Sequence, residues 1–372
     1  MANLSSFIPC AEAVTILKVQ NAFKPISSKG LNLLSLLAYN PRMTPLKFLV
    51  TAALACAVLS TASVLRAAES LDIAVIPKGT SHEFWKSIHA GALKAQQELA
   101  GKGQPVKIIW KGPLREDDRE QQIQVVENFI AQRIDGMVLA PLDNRALVAP
   151  AERAIRARIP VVIIDSALKS EMPASYISTD NFKGGQLGAQ HLSKILNGKG
   201  NVILLRYQVG SASTEEREAG FMDEIKKHPG IKVISQDQYA GATRDSAQKA
   251  AQNLFNRYKE VDGIFCPCEP VTIGVLNALK DIGKTGAIKL IGFDSGTQSV
   301  EGLKNGTVHG LVVQNPLNMG YLGVMKIVDH INKKKIERRI DTGVTVATPE
   351  NMTTPEITEL IYPPYDKYLN AK

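Results

Sequence analysis

From Leu71 onward the chain alternates two apolar patterns. Short runs recur at LDIAVIP (71–77), VKIIW (106–110), DGMVLAP (135–141), IPVVIID (159–165), YIST (176–179), NVILLRY (201–207), IKVISQ (231–236), DGIFCP (262–267), KLIGFD (289–294) and VHGLVVQ (308–314). A short, continuous apolar run suits a strand buried on both faces of a parallel sheet. Between them lie longer stretches with helical spacing. In 82–100, Phe84, Ile88, Ala92, Leu93 and Leu99 share a face, and in 116–132 so do Ile123, Val126, Phe129 and Ile130. Further helices are expected from Asn144, over 181–197, 213–227, 243–257, 270–282 and 316–332, with a short one after Asp294. Strands alternating with helices imply crossover units and parallel sheets. The ten runs exceed one small domain and no long linker divides them. The expectation is α/β, with two doubly wound parallel-sheet lobes.

Two runs close on a carboxylate, Asp165 and Asp294. The residue just past such a strand stands at the carboxyl edge of its sheet, where open α/β folds bind ligands. Two such edges facing one cleft would suit the gripping of hydroxyls. DGMVLAP and DGIFCP share Asp-Gly, an apolar run and Pro. They read either as one structural unit used twice or as a common turn before a strand.

Charge alters little in the body. The net +8 includes +5 from residues 1–68, which hold six Lys/Arg and one acid, so the rest carries 38 − 35 = +3. That is no nucleic-acid footprint. Arg42 and Lys47 flank Met43, residues 48–65 carry no charge, and Arg66-Ala67-Ala68 follows. This is the pattern of an export leader cleaved within 62–68, with Met43 as an alternative start. An uncleaved anchor and acylation at Cys56 are the alternatives. Cys10 and Cys56 would leave with the leader. Cys266 and Cys268, two residues apart, are awkwardly spaced for a disulfide, so the body is no disulfide scaffold.

The strings SHEFWKSIHAGA (81–92), DGMVLAPLD (135–143), IPVVIIDS (159–166), YISTDNFKGGQLGAQHL (176–192), SASTEEREAGF (211–221), IGVLNALKDIGK (273–284), IGFDSG (291–296) and VVQNPLNMGYLG (312–323) carry a resemblance in their order and spacing. Over 71–345 the chain resembles the exported sugar-binding proteins of bacterial ABC importers, of the ribose/galactose/xylose type. The resemblance implies a leader (1–68), an N-terminal lobe (71–179 plus 315–343) and a C-terminal lobe with tail (180–314 plus 344–372). The chain would cross between lobes near Thr179–Asp180, Gln314–Asn315 and Thr342–Val344.

It also implies a site. Phe84 and Trp85 would stack on a sugar ring, core packing being the alternative for both. Asp165, Asp294, Gln314 and the multi-donor Arg217 would hold its hydroxyls. For Arg217 the alternative is an ion pair with Glu216 or Glu218, and for Gln314 a plain loop side chain. Departures from the family pattern are Ser166 in place of arginine, Cys268-Glu269 in place of an Asn-acid pair, and Ala242 in place of an aromatic, with Tyr239 near enough to compensate. Lys78 and His82 add positive charge. The expected ligand is a hexose, a polyol such as inositol or an acidic sugar, rather than ribose. The expected partner is an ABC permease in the inner membrane, a chemoreceptor or sensor kinase being the alternative, and the expected location the periplasm. No cofactor, metal or nucleic acid is called for.

Other classes fit poorly. Asp165 and Asp294 could be cast as a glycosidase pair, but no nucleophile elbow, phosphate loop or spaced metal set accompanies them. CPC (266–268) lacks the second ligand pair a soft metal would want. Lactose-repressor-type regulators need a helix-turn-helix ahead of the body, where this chain has an apolar leader.

Overall fold

Twelve strands and eleven helices alternate through residues 70–370, the part of the chain that the computed structural model describes. The expected leader, with Cys10 and Cys56, lies outside the described residues. The first lobe begins β1 (Leu71–Ile76), α1 (Glu83–Gly101), β2 (Val106–Trp110), α2 (Arg119–Gln132), β3 (Gly136–Leu139), α3 (Val148–Arg156), β4 (Val161–Ile164) and β5 (Ser175–Ser178). The second comprises α4 (Asn181–Ile195), β6 (Gly200–Leu204), α5 (Ala212–Ile225), β7 (Ile231–Ser235), α6 (Arg244–Arg257), β8 (Gly263–Phe265), α7 (Glu269–Asp281), β9 (Lys289–Phe293), α8 (Thr297–Lys304) and β10 (Gly310–Val313). Then come α9 (Pro316–Ile331), β11 (Arg339–Asp341), β12 (Thr345–Ala347), α10 (Pro355–Ile361) and α11 (Asp366–Leu369).

The sheets are ordered β11-β5-β4-β3-β1-β2 and β12-β10-β9-β8-β6-β7. The described ladders are parallel except that β10 and β12 run antiparallel. The continuous apolar runs are explained by burial on both faces. Ile73, Val75 and Val162 pack on one side of the first sheet, with Trp85, Ile88 and Val324. Ala74, Met137 and Ile163 pack on the other, with Val126 and Phe129.

The chain passes between sheets three times. After β5, α4 packs on β9 and β10; after β10, α9 packs on α1, β3 and β4; and residues 342–344 join β11 to β12. β11 and β12 are additional to the ten expected strands. Three residues at a sheet edge carry too little apolar pattern to read. The helix expected from Asn144 starts at Val148, because Asp143 Oδ1 first accepts the Arg145 and Ala146 amides in a turn. The helix expected from Glu116 starts at Arg119, where Asp118 caps the Gln121 amide.

DGMVLAP and DGIFCP hold equivalent places. β3 lies between β1 and β4 as β8 lies between β6 and β9. Asp135 Oδ2 accepts the Asp72 amide at 2.8 Å, and Asp262 Oδ2 accepts the Asn201 amide at 2.6 Å. Each aspartate ties its strand to the first strand of its own sheet, so the repeat is structural.

The tail divides. β12 and α10 belong with the second lobe, α10 burying Ile357 and Ile361 in its core. α11 instead packs against α1 of the first lobe, which corrects the expectation that 344–372 stays with the second. Pro363 and Pro364 follow the Tyr362 cap of α10 and cannot continue the helix. Tyr365 then lines a groove shared with Glu83, Phe84 and Ser87 of α1 and with Ser295 and Gly296.

Candidate ligand-binding cleft

The two sheet edges meet at equivalent aspartates. Asp165 (φ 63°) and Asp294 (φ 72°) both turn the chain in the left-handed region directly after β4 and β9, a conformation aspartate adopts more readily than most residues. The Asp165 amide donates to Ile177 O at 3.0 Å and the Asp294 amide to Val312 O at 2.9 Å. Those bonds to the neighbouring strands hold both carboxylates in the wall of one cavity between the lobes.

On the first lobe Lys78 Nζ lies 2.7 Å from Asp165 Oδ2, both groups almost fully buried. The same ammonium donates across the cleft to Ser213 Oγ at 3.0 Å. On the second lobe Asp294 accepts Gln314 Nε2 on Oδ1 (2.7 Å) and the Glu269 amide on Oδ2 (3.1 Å). Burial pushes the Asp294 carboxyl up to about 6, against the pull of Arg217 and Gln314. Glu269 Oε1 is held by Arg244 Nη2 at 2.6 Å, and its Oε2 accepts the Phe84 amide across the cleft at 3.3 Å.

Arg217 is presented by α5. A Cβ on Gly185 of α4 would overlap the Arg217 carbonyl oxygen, and one on Gly220 of α5 would overlap Phe182 O. The two glycines therefore allow the close helix approach that brings this side chain to the cavity. Its guanidinium stacks 3.8 Å over Phe293 and donates through Nε to Asn181 Oδ1 (2.8 Å) and through Nη1 to Pro267 O (2.9 Å). The alternative ion pair with Glu218 is ruled out, because Glu218 binds Arg206 Nε at 2.7 Å and the Tyr207 amide at 3.0 Å.

Ten of the eleven residues expected from sequence line this cavity: Lys78, His82, Phe84, Trp85, Asp165, Arg217, Cys268, Glu269, Asp294 and Gln314. Ser166 does not; it is fully buried and its Oγ accepts the Ser213 amide at 3.1 Å, bridging the lobes instead. Trp85 is 3% exposed and packs with Ile88 and Ala92, as its core reading expects, and it also lines the cavity. Tyr239 does not replace the missing aromatic, being surface-exposed and stacked with Arg206.

Sequence reasoning missed Glu116, Tyr207, Ser211, Ser213, Thr214 and Pro270 in the wall. The serines lie in the string SASTEEREAGF and could have been taken with it. The sequence offers Glu116 only as the first residue of the expected helix 116–132, with nothing to mark it as a wall residue. Its carboxylate accepts His82 Nδ1 (2.6 Å), Trp85 Nε1 (2.7 Å) and the Tyr207 hydroxyl (2.7 Å). Burial opposes its charge, but the bond and charge of His82, the charge of Lys78 and the bond from Trp85 outweigh it and hold the carboxyl down at about 2. Cys266 and Cys268 are free thiols whose pKa burial raises, and no cluster of three potential metal ligands occurs among the described residues.

Two doubly wound lobes, three crossings and a buried polar cleft at facing sheet edges define a hinged solute-binding protein. A family model described as a periplasmic binding protein domain matches residues 73–335, and the chain belongs to that family. The D-ribose/D-allose-binding protein of Pseudomonas aeruginosa is 25% identical over 289 residues, covering 76% of this chain and 89% of that protein. The D-allose-binding periplasmic protein of Escherichia coli is 29% identical, over 71% of this chain and 86% of its own. Among solved structures, an ABC transporter solute-binding protein of Agrobacterium vitis with bound D-fucose is 34% identical with a TM-score of 0.74, covering 78% of this chain and 100% of that one. A carbohydrate transporter solute-binding protein of Agrobacterium radiobacter in complex with D-arabinose is 32% identical at the same TM-score, covering 78% and 99%. Members of this family bind solutes without transforming them, and this chain is a binding protein, not an enzyme. Its family is periplasmic, and no helix among the described residues is long and apolar enough to cross a membrane.

Proposed function

We propose that the chain captures one neutral sugar or polyol between its lobes and delivers it to an ABC permease in the inner membrane. The observation that carries this reading is a set of buried polar atoms in the cavity wall. Arg217 Nη2, Gln314 Oε1 and Ser211 Oγ have no hydrogen-bond partner among the described residues. A donor, an acceptor and a hydroxyl gathered beside two carboxylates match the mixed donor–acceptor character of ring hydroxyls. Leaving such groups unpaired is costly, so a ligand that pairs them gains affinity.

The charges favour a neutral ligand over an acidic one. Four wall carboxylates, Glu116, Asp165, Glu269 and Asp294, are balanced by Lys78, His82, Arg217 and, behind the wall, Arg244. Arg217 keeps Nη2 unpaired among the described residues, but Asp294 already acts on its charge, so a sugar acid would have to compete with that carboxylate. The pentoses, hexoses and deoxyhexose named for the relatives are the first candidates.

A thermal-shift screen against pentoses, hexoses, 6-deoxyhexoses, polyols and sugar acids tests the reading, since a ligand of the folded state raises its melting temperature. Neutral compounds should shift it. A response confined to sugar acids contradicts the proposal. Delivery from the periplasm also requires export. N-terminal sequencing of the native protein should begin between about Ser63 and Ser70, and an intact leader on a cytoplasmic product contradicts it.

A further inference from the structure

Glu116 lies in the loop between β2 and α2, yet its side chain is 10% exposed and makes three buried hydrogen bonds. Its two oxygens serve different lobes. Oε1 takes His82 Nδ1 at 2.6 Å and Trp85 Nε1 at 2.7 Å, both from the start of α1 in the first lobe. Oε2 takes the Tyr207 hydroxyl at 2.7 Å, from the segment after β6 in the second lobe. Gln208, the next residue, donates its Nε2 to the Glu116 backbone carbonyl at 2.9 Å. Two consecutive second-lobe residues thus grip a single first-lobe residue.

We infer that Glu116 is a positioning residue that favours closure of the cleft, by receiving Tyr207 from the opposite lobe on a carboxylate already aimed by His82 and Trp85. The inference rests on the hinged-binder reading. Separating the lobes breaks the Tyr207 and Gln208 bonds and returns Oε2 to water, while the His82 and Trp85 bonds, internal to the first lobe, persist. Closing expels that water and makes a charge-assisted bond in a buried setting, where such bonds are strongest. Tyr207 is presented rigidly. It is 1% exposed, and its amide is held by Glu218, itself anchored to Arg206. The carboxylate that Tyr207 meets is already aimed by His82 and Trp85, so closure meets a formed acceptor. The same carboxylate fixes the Trp85 indole that lines the cavity.

The test needs no sugar, so its outcome is independent of whether a sugar is the ligand. Leu114 of the first lobe and Val209 of the second are both largely exposed, at 65% and 61%, and cysteines at these positions accept spin labels for a distance measurement on the unliganded protein. Tyr207→Phe keeps the ring and deletes only the hydroxyl. Loss of one hydrogen bond to a charged group should raise the open-to-closed ratio roughly ten- to a hundredfold. Glu116→Gln should raise it similarly, and the double variant no further than the larger single change, because both act through one bond. Glu116→Gln, but not Tyr207→Phe, should also shift tryptophan emission through Trp85. Circular dichroism confirms that each variant is folded, and a variant that fails to fold hands the test to the other. A wild-type distance distribution for Tyr207→Phe, or additive effects in the double variant, overturns the inference.

Discussion

Asp294→Asn should separate stability from binding. Burial, which leaves Asp294 6% exposed, pushes its carboxyl up to about 6 from its ordinary 3.8. Folding therefore takes up a proton between those values. The folded state bears no penalty below about 3.8, and the penalty grows as pH rises through 6, where the buried group must ionise. Two pH units correspond to about 3 kcal/mol at pH 7. An amide escapes that penalty. It still accepts Gln314 Nε2, now 2.7 Å from Oδ1, but its NH2 faces the Glu269 amide, 3.1 Å from Oδ2, which costs about 1 kcal/mol. The net expectation is a gain of about 2 kcal/mol in unliganded stability at pH 7, shrinking to nothing or slightly below by pH 4. Sugar affinity should instead fall about tenfold, as one acceptor for a ligand hydroxyl is lost. Urea unfolding from pH 4 to 7 without sugar, beside calorimetric titration with the sugar that gives the largest thermal shift, reads both. A stability difference that does not change with pH, or an unchanged affinity, refutes the reasoning.

Gly185→Ala should cost about 1–3 kcal/mol and weaken sugar binding as well, because the new methyl would push α4 off the α5 turn that presents Arg217; a melt and a titration both unchanged would count against that route. Cys268→Asn replaces a residue that starts α7 without a side-chain cap by a good capping residue, and should stabilise by about 1 kcal/mol, seen as a melting temperature raised by about 2 °C; a lowered value contradicts it. Truncation after Tyr362 removes α11 from its seat on α1 but spares the core residues Ile357 and Ile361; the melting temperature should fall by a few degrees with sugar binding retained, and an unchanged melt would show that the tail contributes nothing.

The fold was readable because strands buried on both faces are apolar at successive positions, as at Ile73, Ala74, Val75 and Ile76, all fully buried. The facing aspartates were readable for the same reason: each ends such a run. What escaped was carried by single contacts rather than by pattern. β11 and β12 are three residues each and hold their places by pairing. Glu116 sits among charged neighbours in GPLREDD, and nothing local distinguishes it from Asp117 or Asp118. Its importance comes from His82, Trp85 and Tyr207 converging on it from far along the chain. Ser166 shows the converse case. Its position beside Asp165 was legible, but the direction of its hydroxyl depended on where the Ser213 amide of the other lobe would come to lie.

On the proposed function, one neutral polyhydroxylated ligand is held between both lobes at Asp165, Arg217, Asp294 and Gln314. A crystal structure of the protein grown with the sugar that gives the largest thermal shift tests it most directly. That sugar should lie in the cleft, with hydroxyls within hydrogen-bond distance of Arg217 Nη2 and Gln314 Oε1 and of a carboxylate from each lobe. A ligand bound elsewhere, such as the groove beside Tyr176 and Arg338, or held by one lobe alone, would contradict it.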